Sequence, residues 1–241
     1  MAKQKSNTKK KNSKPKFNIW RILQWGALLF FGSSVLITFI YRFIPPPATP
    51  LMLIRVVENI SEGNRASIRH NWVSLENISP YLQQAVIASE DSKFTEHHGI
   101  DLKAIERAKQ LNKKGKKIRG GSTISQQTAK NVFLWPARNY LRKGLELYFT
   151  GLIEVLWGKK RIMEVYLNMI EMGDGIYGAE AASQAYFKKP AAQLTENEAA
   201  AIAAILPNPR KWQANNPTPY IQKKKSRIKQ GINGDEAPEW Q

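Results

Sequence analysis

The sequence predicts an all-α protein: one membrane-spanning helix followed by a helical body. Three observations carry this. Ile22 to Tyr41 is an apolar run without a charged residue. Apolar residues recur at helical spacing through the second half of the chain. Helix-start signals recur as well: Ser79-Pro80, Thr123 with Gln126, and Thr195 with Glu198.

The apolar run comes first. About 20 such residues cross a bilayer as a helix. Only Gln24, Ser33, Ser34 and Thr38 interrupt it, and Trp20, Trp25 and Tyr41 sit near its ends, where aromatic side chains favour the interface. A cleaved signal peptide has a shorter apolar core and a small-residue cleavage site, and RFIPPPATP after the run is a poor one. The segment before it holds Lys3, Lys5, Lys9, Lys10, Lys11, Lys14, Lys16 and Arg21 and no acid. By the positive-inside tendency residues 1–21 are expected in the cytoplasm, with the body of the chain outside.

The formal net charge is +18, of which those eight cations carry +8 and the rest of the chain +10. Such a balance calls for an anionic partner. A body outside the cytoplasm argues against nucleic acid and for a membrane surface or a phosphate-bearing substrate. With no cysteine in 241 residues, disulfides and zinc–thiolate sites are excluded.

Along the chain, Ile44–Pro50 (IPPPATP) reads as an extended spacer. Residues 51 to about 78 lack clean periodicity and read as strand or irregular structure. From Ser79 the chain reads helical almost throughout, in roughly six to eight helices. Asn112–Gly121 (NKKGKKIRGG) reads as a basic mobile loop. Apolar residues at 141, 145, 148, 149, 152, 153 and 156 mark a helix over Leu141–Trp157, and Ile162–Met172 continues in the same style until Gly173-Asp174-Gly175 breaks it. Pro207 stops the helix that Thr195 opens. From about Asn215 the chain is polar, with little to bury.

Three stretches can carry chemistry. In VIASEDSKFTEHHGID (Val86–Asp101), positions 82, 86, 90 and 94 share one helix stripe, so Glu90 continues an apolar face and Asp91 is rotated about 100° away. A carboxylate so placed is partly desolvated, which disfavours its charged form and suits acid–base work. The plain alternative is a helix-end acid that turns to water. His97 and His98 with these acids suggest a metal, but adjacent residues point different ways and the spacing is not HExxH, so no metal site is expected.

The second stretch is RGGSTISQQTAKN (Arg119–Asn131). Two glycines precede a helix N-terminus, a setting that favours anions, and Ser122, Gln126, Gln127 and Lys130 add donors. It reads equally as an ordinary capped loop. The third is ARNYLRKGLE (Ala137–Glu146), where Arg138, Arg142 and Glu146 are four apart and Lys143 borders them. This is either an exposed i,i+4 ion pair or a second carboxylate in a basic cleft.

In order, EDSKFTEHHG, GGSTISQQTAKN, RKGLE and KKRIMEVYLN closely resemble the motifs of the peptidoglycan glycosyltransferases of glycosyltransferase family 51. The likeness runs from about Trp72 to Arg210 and is greatest to the monofunctional, membrane-anchored type of Gram-negative bacteria. A transpeptidase domain would need at least roughly 200 further residues and is not expected.

The resemblance implies a lysozyme-like, all-α fold with head and jaw lobes, residues 112–121 falling in the jaw. It divides the chain into a basic tail (1–21), a transmembrane helix (22–41), a linker (42–71), the glycosyltransferase domain (72–214) and a polar C-terminal tail (215–241). It implies lipid II as substrate, with Glu90 as general base on the incoming sugar hydroxyl and Glu146 near the donor's phosphates. Lys130, Arg138, Arg142, Lys143 and Lys159 become candidates for the pyrophosphate. Asp91, Ser122, Gln126 and Asn168 become candidates for positioning sugars or supporting the cleft. No cofactor is required; a divalent cation, Mg or Mn, would fit at the pyrophosphate. Implied partners are the growing glycan, the inner membrane and cell-wall synthesis or division proteins.

Overall fold

The structure is a computed structural model that describes residues 18–63, 68–113, 121–137, 139–234 and 236–240. The chain divides into two units, residues 1–37 and 38–241. The basic tail up to Phe17, most of the 112–121 loop, Arg119 and Arg138 lie outside the described residues.

Helix α1, Ile19–Tyr41, is long and apolar enough to cross a membrane. Its large side chains face outward; Trp25, for example, is 71% exposed. A core helix of a soluble protein would bury such residues, whereas lipid solvates them.

The larger unit is helical with one small sheet. Its helices are α2 (Pro50–Ser61), α3 (Pro80–Glu90), α4 (Leu102–Lys113), α5 (Ile124–Phe133), α6 (Tyr140–Leu156), α7 (Gly158–Met169), α8 (Ala179–Phe187), α9 (Glu196–Ile205) and α10 (Pro219–Lys229). Short 3₁₀ turns occupy Leu75–Asn77 and Ala191–Gln193. The sheet joins β1 (Arg69–His70), β2 (Glu171–Gly173) and β3 (Ile176–Tyr177) in the order β1-β3-β2. β1 runs parallel to β3, with Arg69 opposite Ile176; β2 is antiparallel and bulged.

Helix α9 is the centre of one half. Every residue from Ala199 to Ile205 is buried, as befits a helix apolar all round. Its alanines let α3 and α10 pack closely on either side. In the other half, α5 packs on α6 and α7. Arg161 of α7 donates to the carbonyls of Tyr41 (2.8 Å) and Ile44 (3.0 Å), and Trp157 Nε1 donates to Thr38 O at 2.6 Å. Those bonds tie the chain after residue 37 to the body.

Both Thr capping boxes form as the sequence predicts. Thr123 and Thr195 accept from the backbone N–H three residues on, and Gln126 and Glu198 reach back to the capping residues. Pro80 takes the first position of α3, but the Ser79 hydroxyl does not cap it; it donates to Leu194 O at 2.8 Å, pinning α3 to the start of α9.

Three expectations differ from the structure. Residues 50–61 are helical, because Thr49 accepts from Met52 N at 3.1 Å and Pro50 supplies a first helical residue. Leu53, Val57 and Ile60 of this helix are exposed, so no polar face signals its period. The helix α7 stops at Met169, and Glu171–Gly173 form β2. The segment after Asn215 is not without a core: Thr218 caps α10, and Ile221, Lys225 and Ile228 are buried along one stripe.

Candidate active site

Helix α3 ends at Glu90, so the stripe Leu82–Val86–Glu90 is helical, while Phe94 reaches the core through the following turn. Glu90 is half-buried and lines a cleft of about 800 Å³. Its Oε2 accepts from Gln127 Nε2 at 3.1 Å. Gln127 Oε1 in turn accepts from the Tyr166 hydroxyl at 3.3 Å. Burial first, then the charges of Glu90 and Asp91, push the Tyr166 phenol well above its usual range, so it stays a neutral donor.

Asp91 turns the other way. Its carboxylate accepts from Ile124 N at 3.0 Å and meets His97 Nε2 at 3.0 Å through both oxygens. A carboxylate only accepts, so the proton sits on Nε2. The pair stitches the end of α3 to the start of α5. Gly99, at φ 82°, continues the turn; a Cβ there would lie 2.7 Å from Thr150. His98 is exposed. Thus the histidines divide as adjacent residues should, one packed and one in water.

Helix α5 links two carboxylates. Gln127 and Lys130 lie one turn apart on it, Gln127 bonded to Glu90 and Lys130 facing the charges of α6. There Glu146, 3% exposed, accepts from Arg142 Nη1 at 2.7 Å and Lys143 Nζ at 2.5 Å. Asn139 caps α6 by accepting from Arg142 N at 2.8 Å, which sets the phase of this cluster. Burial lowers the Lys130 pKa, as do Arg142 and Lys143; Glu146 and Glu90 oppose that effect. Lys130 is therefore a cation that senses both acids.

The remaining sequence candidates separate by what their polar atoms already hold. Ser122 is exposed on the Glu90 cleft. Gln126 is buried, its carbonyl engaged by Thr123 N at 3.2 Å. Asn168 is fully buried, bonded to both backbone groups of Val73 and to Glu164 O. Lys159 is buried too; it pairs with Glu154 at 2.7 Å and lies 4.7 Å from the Phe94 ring centroid, while Ser125 donates to the same Glu154 oxygen. Asp91, Gln126, Lys159 and Asn168 thus hold the cleft's walls by internal bonds.

Lys223, Lys224 and Arg227 of α10 line the same cleft as Glu90. Burial lowers the Lys224 pKa, with Glu90 opposing. These residues stand in the KKKSR run read as an unburied tail. The missed signal was Thr218-Pro219 followed by apolar residues at 221 and 228. With the Lys130–Arg142–Lys143 group, α10 gives Glu90 cations from two separate elements.

The sequence profile of the transglycosylase family matches residues 56–233. The chain is 55% identical over 201 residues to a biosynthetic peptidoglycan transglycosylase of Caulobacter vibrioides, covering 83% of this chain and 85% of that one. It is 52% identical to the like-named protein of Bacteroides thetaiotaomicron, covering 83% and 81% of the two chains. The counterpart from Bdellovibrio bacteriovorus is also 52% identical, covering 87% and 85%. The matched span takes in α10 as well as the elements that carry Glu90, Lys130 and Glu146, and the chain belongs to the transglycosylase family, among the biosynthetic peptidoglycan transglycosylases.

Proposed function

We propose that this transglycosylase polymerises lipid II into β-1,4-linked glycan strands and releases undecaprenyl pyrophosphate. Glu90 takes the proton from the 4-hydroxyl of the incoming lipid II, whose oxygen attacks the anomeric carbon of the growing strand from the face opposite the pyrophosphate. The configuration at that carbon inverts. The observation that carries the reading is a half-buried carboxylate at the edge of a roomy cleft, flanked by cations from α5, α6 and α10.

Roles follow from what each side chain has free. Gln127 aims the Glu90 carboxylate. Lys130, Arg142 and Lys143 meet the leaving pyrophosphate, and Glu146 holds Arg142 and Lys143 in place. Arg138 joins them by its place in the motif. Pre-set cations around a departing diphosphate lower the barrier without reorganising at the moment of reaction. Ser122 positions a sugar; Asp91, Gln126, Lys159 and Asn168 keep the walls in register. A Mg or Mn ion at the pyrophosphate would add charge there.

Placement follows from α1 and the charge distribution: a single-pass anchor in the bacterial inner membrane, N-terminus in the cytoplasm and body in the periplasm, beside cell-wall synthesis and division proteins. The test is labelled lipid II offered to the intact protein and to Glu90→Gln. Long glycan from the first and none from the second is expected. Cleavage of preformed glycan into short fragments would instead identify a lytic enzyme.

A further inference from the structure

A second cavity, of about 420 Å³, opens between α2 and the connection from α5 to α6. Three of its lining residues are cations from three elements: Arg55 of α2, Lys130 of α5 and Arg142 of α6. No acid lines it. The rest of the wall is largely apolar, with Leu51, Leu134 and Trp135 prominent.

The cations are not fully satisfied by the protein. Arg55 Nη1 pairs with Glu58 at 2.5 Å and Arg142 Nη1 with Glu146 at 2.7 Å. The Nε atoms of both arginines are buried without a hydrogen-bond acceptor; Glu171 lies 3.9 Å from Arg55 Nε, beyond bonding range. Buried donors left open are costly, and two of them on one cavity call for an anionic ligand with several acceptors. An inorganic anion would leave the apolar wall unused. Beside the pocket, α2 exposes Leu53, Val57 and Ile60, one stripe along the helix, which suits contact with lipid.

We infer that this pocket binds the head of a prenyl diphosphate: Arg55 joins Lys130 and Arg142 on the phosphates, while Leu51, Leu134 and Trp135 receive the first isoprene units. The inference rests on the proposed reaction and deepens it. It gives the segment before the helical body a direct part in holding the lipid-linked donor. Arg55 is a positioning residue in this scheme, since it touches the leaving group's phosphates and takes no part in proton transfer.

The test is calorimetric titration of the detergent-solubilised full chain with farnesyl diphosphate, inorganic pyrophosphate and farnesol. Farnesyl diphosphate is expected to bind at least about tenfold more tightly than pyrophosphate, because the prenyl carbons leave water. Arg55→Gln should weaken both diphosphates about tenfold, and Arg55→Lys should recover part of that loss. Trp135→Ala should erase the prenyl preference and leave pyrophosphate binding unchanged. Glu58→Gln should bind at least as tightly as the parent. Equal affinity for farnesyl diphosphate and pyrophosphate would overturn the inference. So would a loss in Glu58→Gln matching that in Arg55→Gln, which would make Arg55 only an ion-pair partner. If Arg55→Gln fails to fold, the partly exposed Trp135 decides the matter alone. Glu90→Gln separates the two readings. An active Glu90→Gln with a prenyl preference removes the general base and keeps the pocket. An inactive Glu90→Gln without that preference removes the pocket and keeps the reaction.

Discussion

Gln127 bridges the carboxylate of Glu90 and the phenol of Tyr166, donating to the first at 3.1 Å and accepting from the second at 3.3 Å. The amide has two ends and each is committed, so Glu90 is held by a chain that starts at a fully buried tyrosine. Glu90→Gln is expected to lower kcat for lipid II polymerisation by at least about 100-fold, the scale of a lost general base. Gln127→Leu should lower kcat by about tenfold with KM little changed, since the carboxylate remains but is no longer aimed. Steady-state kinetics on both variants, with thermal unfolding as a control, decides this.

Asp91 is adjacent in sequence to Glu90 and has a different task. Its carboxylate holds Ile124 N and His97 across a buried junction. Asp91→Ala is expected to cost about 3 kcal/mol of stability, as a buried charge-assisted network is lost. Denaturant unfolding should show that loss, whereas Glu90→Gln should unfold like the parent. Equal stability of the two variants would contradict the division of roles.

The lowered pKa of Lys130 has its first cause in burial and gives a signed pH dependence. Only the charged lysine attracts a diphosphate, so binding is lost as pH rises through that lowered value, earlier than for an ordinary lysine. For stability the sign is opposite to that of a salt-bridged lysine. The folded state binds this proton more weakly, so the penalty is full at low pH and relieved as pH rises through the unfolded value. Lys130→Arg should move the alkaline fall of kcat/KM to higher pH. An unmoved fall would assign it to another group.

The cations of α10 give a prediction that the sequence reading would not have made. Lys223→Gln and Arg227→Gln are expected to raise KM for lipid II several-fold while leaving the melting temperature within a degree or two, because neither side chain is in the core. Ile221→Ala, by contrast, should destabilise by about 3 kcal/mol, since Ile221 is fully buried against the body.

Gly178 sits at φ 83°, and a Cβ there would lie 2.5 Å from the carbonyl oxygen of Asn168. That oxygen is backbone and is also met by His70 Nε2 at 3.1 Å. Gly178→Ala is therefore expected to cost about 2–3 kcal/mol, through strain at positive φ and displacement of the α7 end. A change below about 0.5 kcal/mol in chemical denaturation would show that the turn can relax.

What could be read before folding was whatever depends on neighbours along the chain. Thr123 and Gln126, or Thr195 and Glu198, cap a helix because three residues separate them, and Arg142, Lys143 and Glu146 meet because they are three and four apart. The length and apolarity of α1 follow from composition alone. The phase argument singled out Glu90, and the motifs placed Glu146 beside its cations. What each candidate does with its polar atoms was not legible. Asp91, Gln126, Lys159 and Asn168 have the same residue types as ligand contacts, yet their partners are Ile124, Thr123, Glu154 and Val73, some of them close in sequence and others up to 95 residues away. Nor does local spacing reveal that α10 returns to Glu90's cleft, or that Arg55 of α2 joins Lys130 and Arg142 on one cavity. Helix caps and ion pairs within a turn are local energies, fixed by spacing; the walls of a cleft are made by segments that meet only when the apolar stripes of α3, α9 and α10 are buried together, and that burial belongs to the whole chain.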